Sequence, residues 1–133
     1  MKQIKEVCEL TGLSKRALQF YDEKGLLNVK RTKWNYRIYG EDDLLRIWLI
    51  LVYKEMGFSL NEIMELLDVD EDVSRGLIAN KILEIEAEAM ELERRRNFIE
   101  KVLMYGIPDR EIEDIEKGEL TYADYVRILS ERI

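Results

Sequence analysis

Thr11-Gly12-Leu13-Ser14-Lys15-Arg16-Ala17-Leu18-Gln19-Phe20-Tyr21-Asp22-Glu23-Lys24-Gly25 is the stretch on which the fold turns. Just before and into it, Ile4, Val7, Cys8 and Leu10 recur at helical spacing, and Thr11-Gly12 stops that helix because glycine takes a positive φ without strain. Ser14 caps a second helix, with an oxygen suited to accept an N–H from the next turn, and Gly25 ends it. Two short helices joined by a tight glycine turn form a helix-turn-helix unit. Helical hairpins also occur in proteins that never touch DNA, so the flanking residues carry the rest of the reading.

The second helix bears Lys15, Arg16, Gln19, Tyr21 and Lys24 among the apolar residues Ala17, Leu18 and Phe20. Cations in a first turn oppose the helix dipole and cost stability unless an anion sits opposite. DNA phosphate or a base edge would supply that partner; a solvated basic face is the plainer alternative. From Leu26 to Gly40 the helical period disappears. Val29-Lys30-Arg31 and Tyr36-Arg37-Ile38-Tyr39 are rich in β-branched and aromatic residues, and Asn35 between them suits a left-handed position, so this region is expected to be a two-stranded hairpin. A hairpin directly after a helix-turn-helix makes a wing. Lys30, Arg31, Lys33 and Arg37 sit on it, within reach of phosphates or a minor groove. Trp34 at the tip has two readings, a packing residue or an indole lying against sugar.

Glu41 to Met56 is apolar on too many sides for a surface helix and is expected to be the helix around which the head is built, with Trp48 in the core. Gly57-Phe58 breaks it. Ser59-Leu60-Asn61-Glu62 is a capping box opening a short helix through Leu66 and Leu67, and Asp68 to Asp72 reads as an acidic connector.

The chain has 133 residues, no histidine, one cysteine and a formal net charge of -7. That composition excludes Ser-His-Asp and Cys-His catalytic centres and the usual His/Cys metal sites within one chain. Cys8 reads as a small core residue rather than a redox switch. The longest apolar run, Ile47 to Tyr53, is far below the roughly 18 residues of a membrane helix, and the N-terminus lacks a signal-peptide core. A cytoplasmic protein with no membrane partner and no cofactor is expected. The net charge is unevenly spread. Residues 1–40 carry nine Lys/Arg against four Asp/Glu, a balance of +5, and the other 93 carry twelve against twenty-four, a balance of -12. Phosphate attraction is felt over about a Debye length, roughly 10 Å, so the head can be basic while the protein is acidic.

Taken together, Ile4-Lys5-Glu6-Val7, the stretch from Thr11 to Leu27, Tyr36-Arg37-Ile38-Tyr39, Leu44 and Gly57-Phe58-Ser59-Leu60-Asn61-Glu62-Ile63 resemble the DNA-binding head of MerR-type bacterial transcription regulators, over roughly residues 2–67. The resemblance implies a winged helix-turn-helix that binds double-stranded DNA as a homodimer. It also implies activation by distortion of an over-long promoter spacer where RNA polymerase binds, although a repressor would carry the same head. By motif position it assigns Arg16, Tyr21 and Arg37 to DNA: the Tyr21 hydroxyl to a phosphate and Arg37 as a backbone clamp. Ser14, Lys15 or Arg16 would approach bases in the major groove. This chain departs from the family pattern at Gln19, Phe20, Val29 and Asn35, where arginine, tyrosine, proline and glycine are usual, and those departures bear on operator preference. Gln19 can still hydrogen-bond to DNA.

In the second half, Ile78, Ile82, Ile85, Ala89, Leu92, Arg96, Ile99 and Leu103 are spaced alternately four and three apart, a heptad seam of nearly four heptads. A helix from about Ser74 to Tyr105 would be roughly 45 Å long, and its apolar stripe requires a partner; a homodimeric coiled coil is expected, with the resemblance supplying an antiparallel orientation. Arg96 either pairs with a glutamate across the dimer or extends to solvent. Gly106-Ile107-Pro108 ends that helix, and Asp109 to Lys117 and Tyr122 to Arg132 read as two short helices, the second opened by Thr121 and Asp124. Tyr105, Tyr122 and Tyr125 form a candidate effector pocket for a cationic or aromatic small molecule, or are ordinary packing.

The expected architecture is therefore mostly α: a winged helix-turn-helix head with a small β-hairpin wing (1–72), a coiled-coil dimerisation helix (73–106) and a short helical tail (107–133). The expected function is sequence-specific regulation of transcription by a homodimer on a palindromic promoter site. An adapter that keeps the head as a scaffold and binds partners through its acidic coiled coil is the alternative. No set of paired carboxylates stands apart from the solvated acidic helices, so an enzyme is not expected.

Overall fold

The computed structural model describes residues 1–132. Their order is β1 (Lys2–Gln3), α1 (Ile4–Thr11), α2 (Lys15–Glu23), β2 (Lys30–Arg31), β3 (Arg37–Tyr39), α3 (Glu41–Glu55), α4 (Leu60–Asp68), α5 (Glu71–Tyr105), α6 (Glu113–Glu116) and α7 (Tyr122–Glu131). The helices begin and end where local chemistry allows. Gly12 stops α1 at φ 77°, and the Ser14 hydroxyl accepts the Ala17 N–H at 3.0 Å to cap α2. Ser59 and Glu62 exchange hydrogen bonds at the start of α4, at 3.2 and 2.9 Å.

The wing is larger than the expected hairpin. β3 is the central strand of a three-stranded antiparallel sheet, flanked by β1 and β2, with Lys2 opposite Tyr39 and Lys30 opposite Ile38. A two-residue N-terminal strand has no periodicity to announce it. Its pairing with β3 nonetheless ties the N-terminus to the wing.

Two compact units divide the chain, Met1–Ile78 and Ala79 onward. The first is organised around Val7, Leu18, Tyr21, Leu26, Tyr39, Ile47, Ile50 and Ile63, contributed by α1, α2, β3, α3, α4 and the chain after α2. Cys8 is half-buried against this core. In α3, Ile47, Ile50 and Tyr53 face inward, but Trp48 does not: it is 65% exposed, and Leu45, one turn earlier, is exposed too. The apolar content of α3 exceeds what one small head can cover, and sequence pattern cannot choose which side turns in.

The acidic connector shrinks to Val69 and Asp70. The Asp70 carboxylate accepts the Val73 N–H at 2.9 Å, which starts α5 at Glu71 instead of Ser74, and Glu71 and Asp72 complement the positive end of the helix. Leu77 and Ile78 on its early turns pack on the head's core. The 35-residue helix is roughly 50 Å long. In the second unit, α7 has the expected capping box, with Thr121 accepting the Asp124 N–H at 3.1 Å. The helix expected over Asp109 to Lys117 is reduced to four residues, since Asp109 accepts the Glu111 N–H at 3.0 Å in a local turn that competes with helix. No helix among the described residues is long and apolar enough to cross a membrane.

Tyr39 is fully buried and its hydroxyl has no hydrogen-bond partner among the described residues. Burial, partly offset by Arg37, pushes the phenol pKa up. An unpaired buried hydroxyl costs on the order of 1–3 kcal/mol. Tyr39→Phe should therefore leave the head at least as stable as the parent, with a gain of about 1 kcal/mol, whereas Leu18→Ala should cost about 2–5 kcal/mol. Urea unfolding of the three proteins checks both.

Candidate nucleic-acid interface

The residues singled out in the sequence fall into three groups in the head. Lys15 and Arg16 are exposed at the start of α2 and Gln19 is half-exposed on it. No acidic side chain occupies that first turn, so the helix dipole and two cations present one positive end. Ser14 adjoins them, but its hydroxyl is already engaged as the cap of α2. That bond fixes where the helix begins.

Tyr21 is buried in the core except at its hydroxyl end. The oxygen accepts a hydrogen bond from Lys54 Nζ at 3.2 Å and keeps its own proton available to donate. Lys54, exposed at the end of α3, was not flagged by the sequence, since only the fold brings that helix beside α2. A shallow hollow of about 410 Å³ results, lined by Ser14, Arg16, Phe20, Tyr21, Lys54 and Leu60. Two cations and two hydroxyls around such a hollow make a surface suited to an anion.

On the wing, Lys30, Arg31 and Lys33 are exposed, but Arg37 differs from the expected phosphate clamp. Its Nε donates to Asp22 Oδ2 at 3.0 Å, and the two side chains are only 15% and 18% exposed. Arg37 thus joins β3 to α2 and fixes the angle between wing and second helix. The sequence could not reveal this because the partner lies 15 residues earlier on another element. Arg31 donates to the Asn35 carbonyl at 3.0 Å, and Lys33 sits over the Trp34 ring at 4.4 Å.

The expected dimer seam stands largely uncovered in the single chain. Ile82, Ile85, Ala89, Leu92, Arg96, Ile99 and Leu103 are exposed, Leu92 by 62%, while Ile78 is half-buried on the head. Arg96 bonds Glu93 on its own helix at 2.6 Å. The tail packs on another side of α5, with Arg94 reaching Ser130 at 2.5 Å. The candidate effector tyrosines line two adjoining cavities. Tyr122 and Tyr125 line a cavity of about 420 Å³ with Phe98, Val102, Ile115 and Leu129, and Arg110 donates to the Tyr122 hydroxyl at 2.9 Å. Tyr105, 81% exposed, lines an adjoining cavity of about 440 Å³ that shares Phe98, Val102 and Leu129 with the first. Among the described residues no group of three or more Cys, Asp or Glu side chains is placed to hold a metal.

If the Arg37–Asp22 pair holds the wing, Asp22→Asn should weaken it and Asp22→Ala should break it. We expect Asp22→Ala to cost about 2 kcal/mol in urea unfolding, as removing the partner of a partly buried charge does. It should also lower DNA affinity without removing any cation from the surface, a combination that filter binding beside the unfolding curve detects.

Comparison with known proteins agrees with this geometry. The family model "MerR HTH family regulatory protein" matches residues 2–69, and "MerR, DNA binding" matches residues 44–102. The HTH-type transcriptional activator mta of Bacillus subtilis is 34% identical over 96% of this chain, which spans 54% of that protein, about half its length. The HTH-type transcriptional regulator CueR of Escherichia coli is 34% identical over 71% of this chain and 75% of its own. Among solved structures, MtaN, the N-terminus of the Bacillus subtilis multidrug transporter activator, superimposes with a TM-score of 0.73 at 33% identity, covering 77% of this chain and 98% of that one. HiNmlR, a MerR family regulator lacking the sensor domain and bound to promoter DNA, gives 0.54 at 27% identity, covering 78% and 84%. The two family models together span the winged head and most of α5: the chain belongs to the MerR family of DNA-binding transcriptional regulators.

Proposed function

We propose that the protein regulates transcription as a homodimer, its two heads bound to the halves of a palindromic promoter site. The observation that carries this reading is the cationic face formed by the start of α2, Lys54 and the wing on a chain whose net charge is -7. Lys15, Arg16 and Gln19 enter the major groove; Lys30, Arg31, Lys33 and Lys54 meet phosphates. Arg37 serves as the strut that sets the wing. Such a ligand places the protein's work in the cytoplasm.

The seam on α5 supports the dimer and its orientation. Its spacing is the same read in either direction, with its centre between Met90 and Glu91. Antiparallel pairing therefore sets Ile82 against the second copy's Ile99, Ala89 against its Leu92 and Arg96 against its Ile85. Parallel pairing would instead place two Arg96 side chains together in the interface, a like-charge contact that antiparallel pairing avoids. In the antiparallel arrangement Arg96 also lies near the second copy's Glu84, Glu86 and Glu88, which gives it partners at the edge of the seam.

The family relation supports a regulator that acts at a promoter by bending or untwisting the spacer between elements contacted by RNA polymerase, with deformation energy of on the order of 1–6 kcal/mol. Activation is our reading of the sign, in keeping with the activator among its relatives. An effector would enter the tail cavity. Its walls are apolar and its rim carries one charge of each sign, Asp109 and Arg110, so a flat apolar or aromatic molecule fits it better than a cation.

Titrating the protein onto DNA from upstream of its own gene at several salt concentrations tests the core of this reading. A complex at low salt is expected, with log K falling linearly against log salt. Arg16→Ala should weaken binding at every salt concentration and flatten that slope by about one. Absence of a complex at low salt would contradict the reading. Leu92→Asp should convert a dimer of 15.9 kDa chains to monomers in sedimentation equilibrium and weaken binding to the full site by at least tenfold.

A further inference from the structure

The turn between β2 and β3 is stiff. The Asn35 N–H donates to the Thr32 carbonyl at 2.9 Å, the Thr32 N–H to the Tyr36 carbonyl at 2.8 Å, and the Tyr36 N–H to Thr32 Oγ1 at 3.2 Å. Asn35 adopts φ 68°, a conformation asparagine tolerates better than most residues, and the Arg31 guanidinium is anchored on its carbonyl. A turn closed by two backbone bonds and two side chains presents its apex residue in one direction. That residue is Trp34, whose surface is 70% exposed.

Trp34 does not fold back onto the sheet or the head's core. Its one described ring contact is the Lys33 ammonium, 4.4 Å from the ring centroid. An ammonium over one face leaves the opposite face of the indole open. Indole is among the most favourable side chains to remove from water, and a stiff turn removes most of the ordering cost of docking it. The ligand must also suit the Lys30, Arg31 and Lys33 cations that surround it within five residues. A polyanion with apolar surface between its charges meets both conditions. Duplex DNA offers deoxyribose edges between phosphates; its base faces are already stacked, and opening a step costs a few kcal/mol.

We propose that Lys33 and Trp34 act as one DNA contact, with the open indole face packed on a deoxyribose at the edge of the minor groove and the ammonium meeting the adjacent phosphate. The contact rests on the reading of the head as a DNA-binding module and adds to it a component of affinity that salt does not screen. Phosphate contacts weaken as counterions accumulate. An indole on a sugar does not, so the two residues have separable signatures.

The chain has two tryptophans, Trp34 and Trp48, so Trp48→Phe leaves Trp34 as the sole reporter. Trp48 is exposed on α3, outside the proposed interface. In that background, saturating the protein with duplex from upstream of its own gene should shift Trp34 emission to the blue and reduce its quenching by acrylamide. Trp34→Ala should weaken binding about tenfold with an unchanged salt slope, and Trp34→Tyr should restore part of the loss. Lys33→Ala should lower the slope by about one. A saturated complex in which Trp34 emission and quenching are unchanged, or in which Trp34→Ala binds as tightly as its parent, overturns this contact and leaves the DNA-binding reading intact. Failure of the wild-type chain to bind at all overturns both.

Discussion

The Arg37–Asp22 ion pair is the contact on which the binding surface depends. At 3.0 Å and largely shielded from water, it joins the central strand of the wing to the second helix of the helix-turn-helix. Two elements that read one ligand must hold a fixed angle, and neither the two-residue β2 nor the two-residue β1 supplies much rigidity by itself. The pair holds the Arg37 guanidinium through its Nε, and donors fixed in place beforehand lose less entropy when they bind. Tyr21 has a similar double duty, with its ring in the core and its hydroxyl beside Lys54 at the surface.

Electrostatics ties this surface to the rest of the chain. The net charge of -7 is the sum of a basic first forty residues and an acidic remainder, and screening keeps the two from cancelling at the binding face. Acidic residues on α5 and in the tail limit nonspecific attraction to DNA elsewhere on the molecule. They also suit a long solvated helix that carries intrahelical pairs such as Arg96–Glu93 and Arg95–Glu91. Such exposed pairs contribute little stability each, so the uncovered stripe from Ile82 to Leu103 remains the dominant reason for α5 to find a partner.

Features written in local chemistry were legible in the sequence. The glycine at 12, the caps at 14, 59 and 121 and the left-handed Asn35 each depend on residues within a turn or two, and the heptad seam depends on spacing alone. Features that depend on distant partners were not. Trp48 was expected inside because α3 is apolar on most sides, and only packing decides which side is buried. Lys54 gains its place from the docking of α3 on α2, and Arg37 from a carboxylate on another element. Spacing alone starts α5 at about Ser74, while Asp70 provides the cap actually used. Tyr122 and Tyr125, three residues apart on one helix, share a cavity, and Tyr105 on α5 lines the one adjoining it.

Two copies paired through α5, as proposed, would place two heads on one stretch of duplex. Hydroxyl-radical footprinting of the DNA upstream of the gene measures this directly. Two protected blocks symmetric about a centre are expected, with both blocks lost together when the seam is disrupted at Leu92. A single protected block, or a symmetric pair that persists when the protein is monomeric, would contradict it.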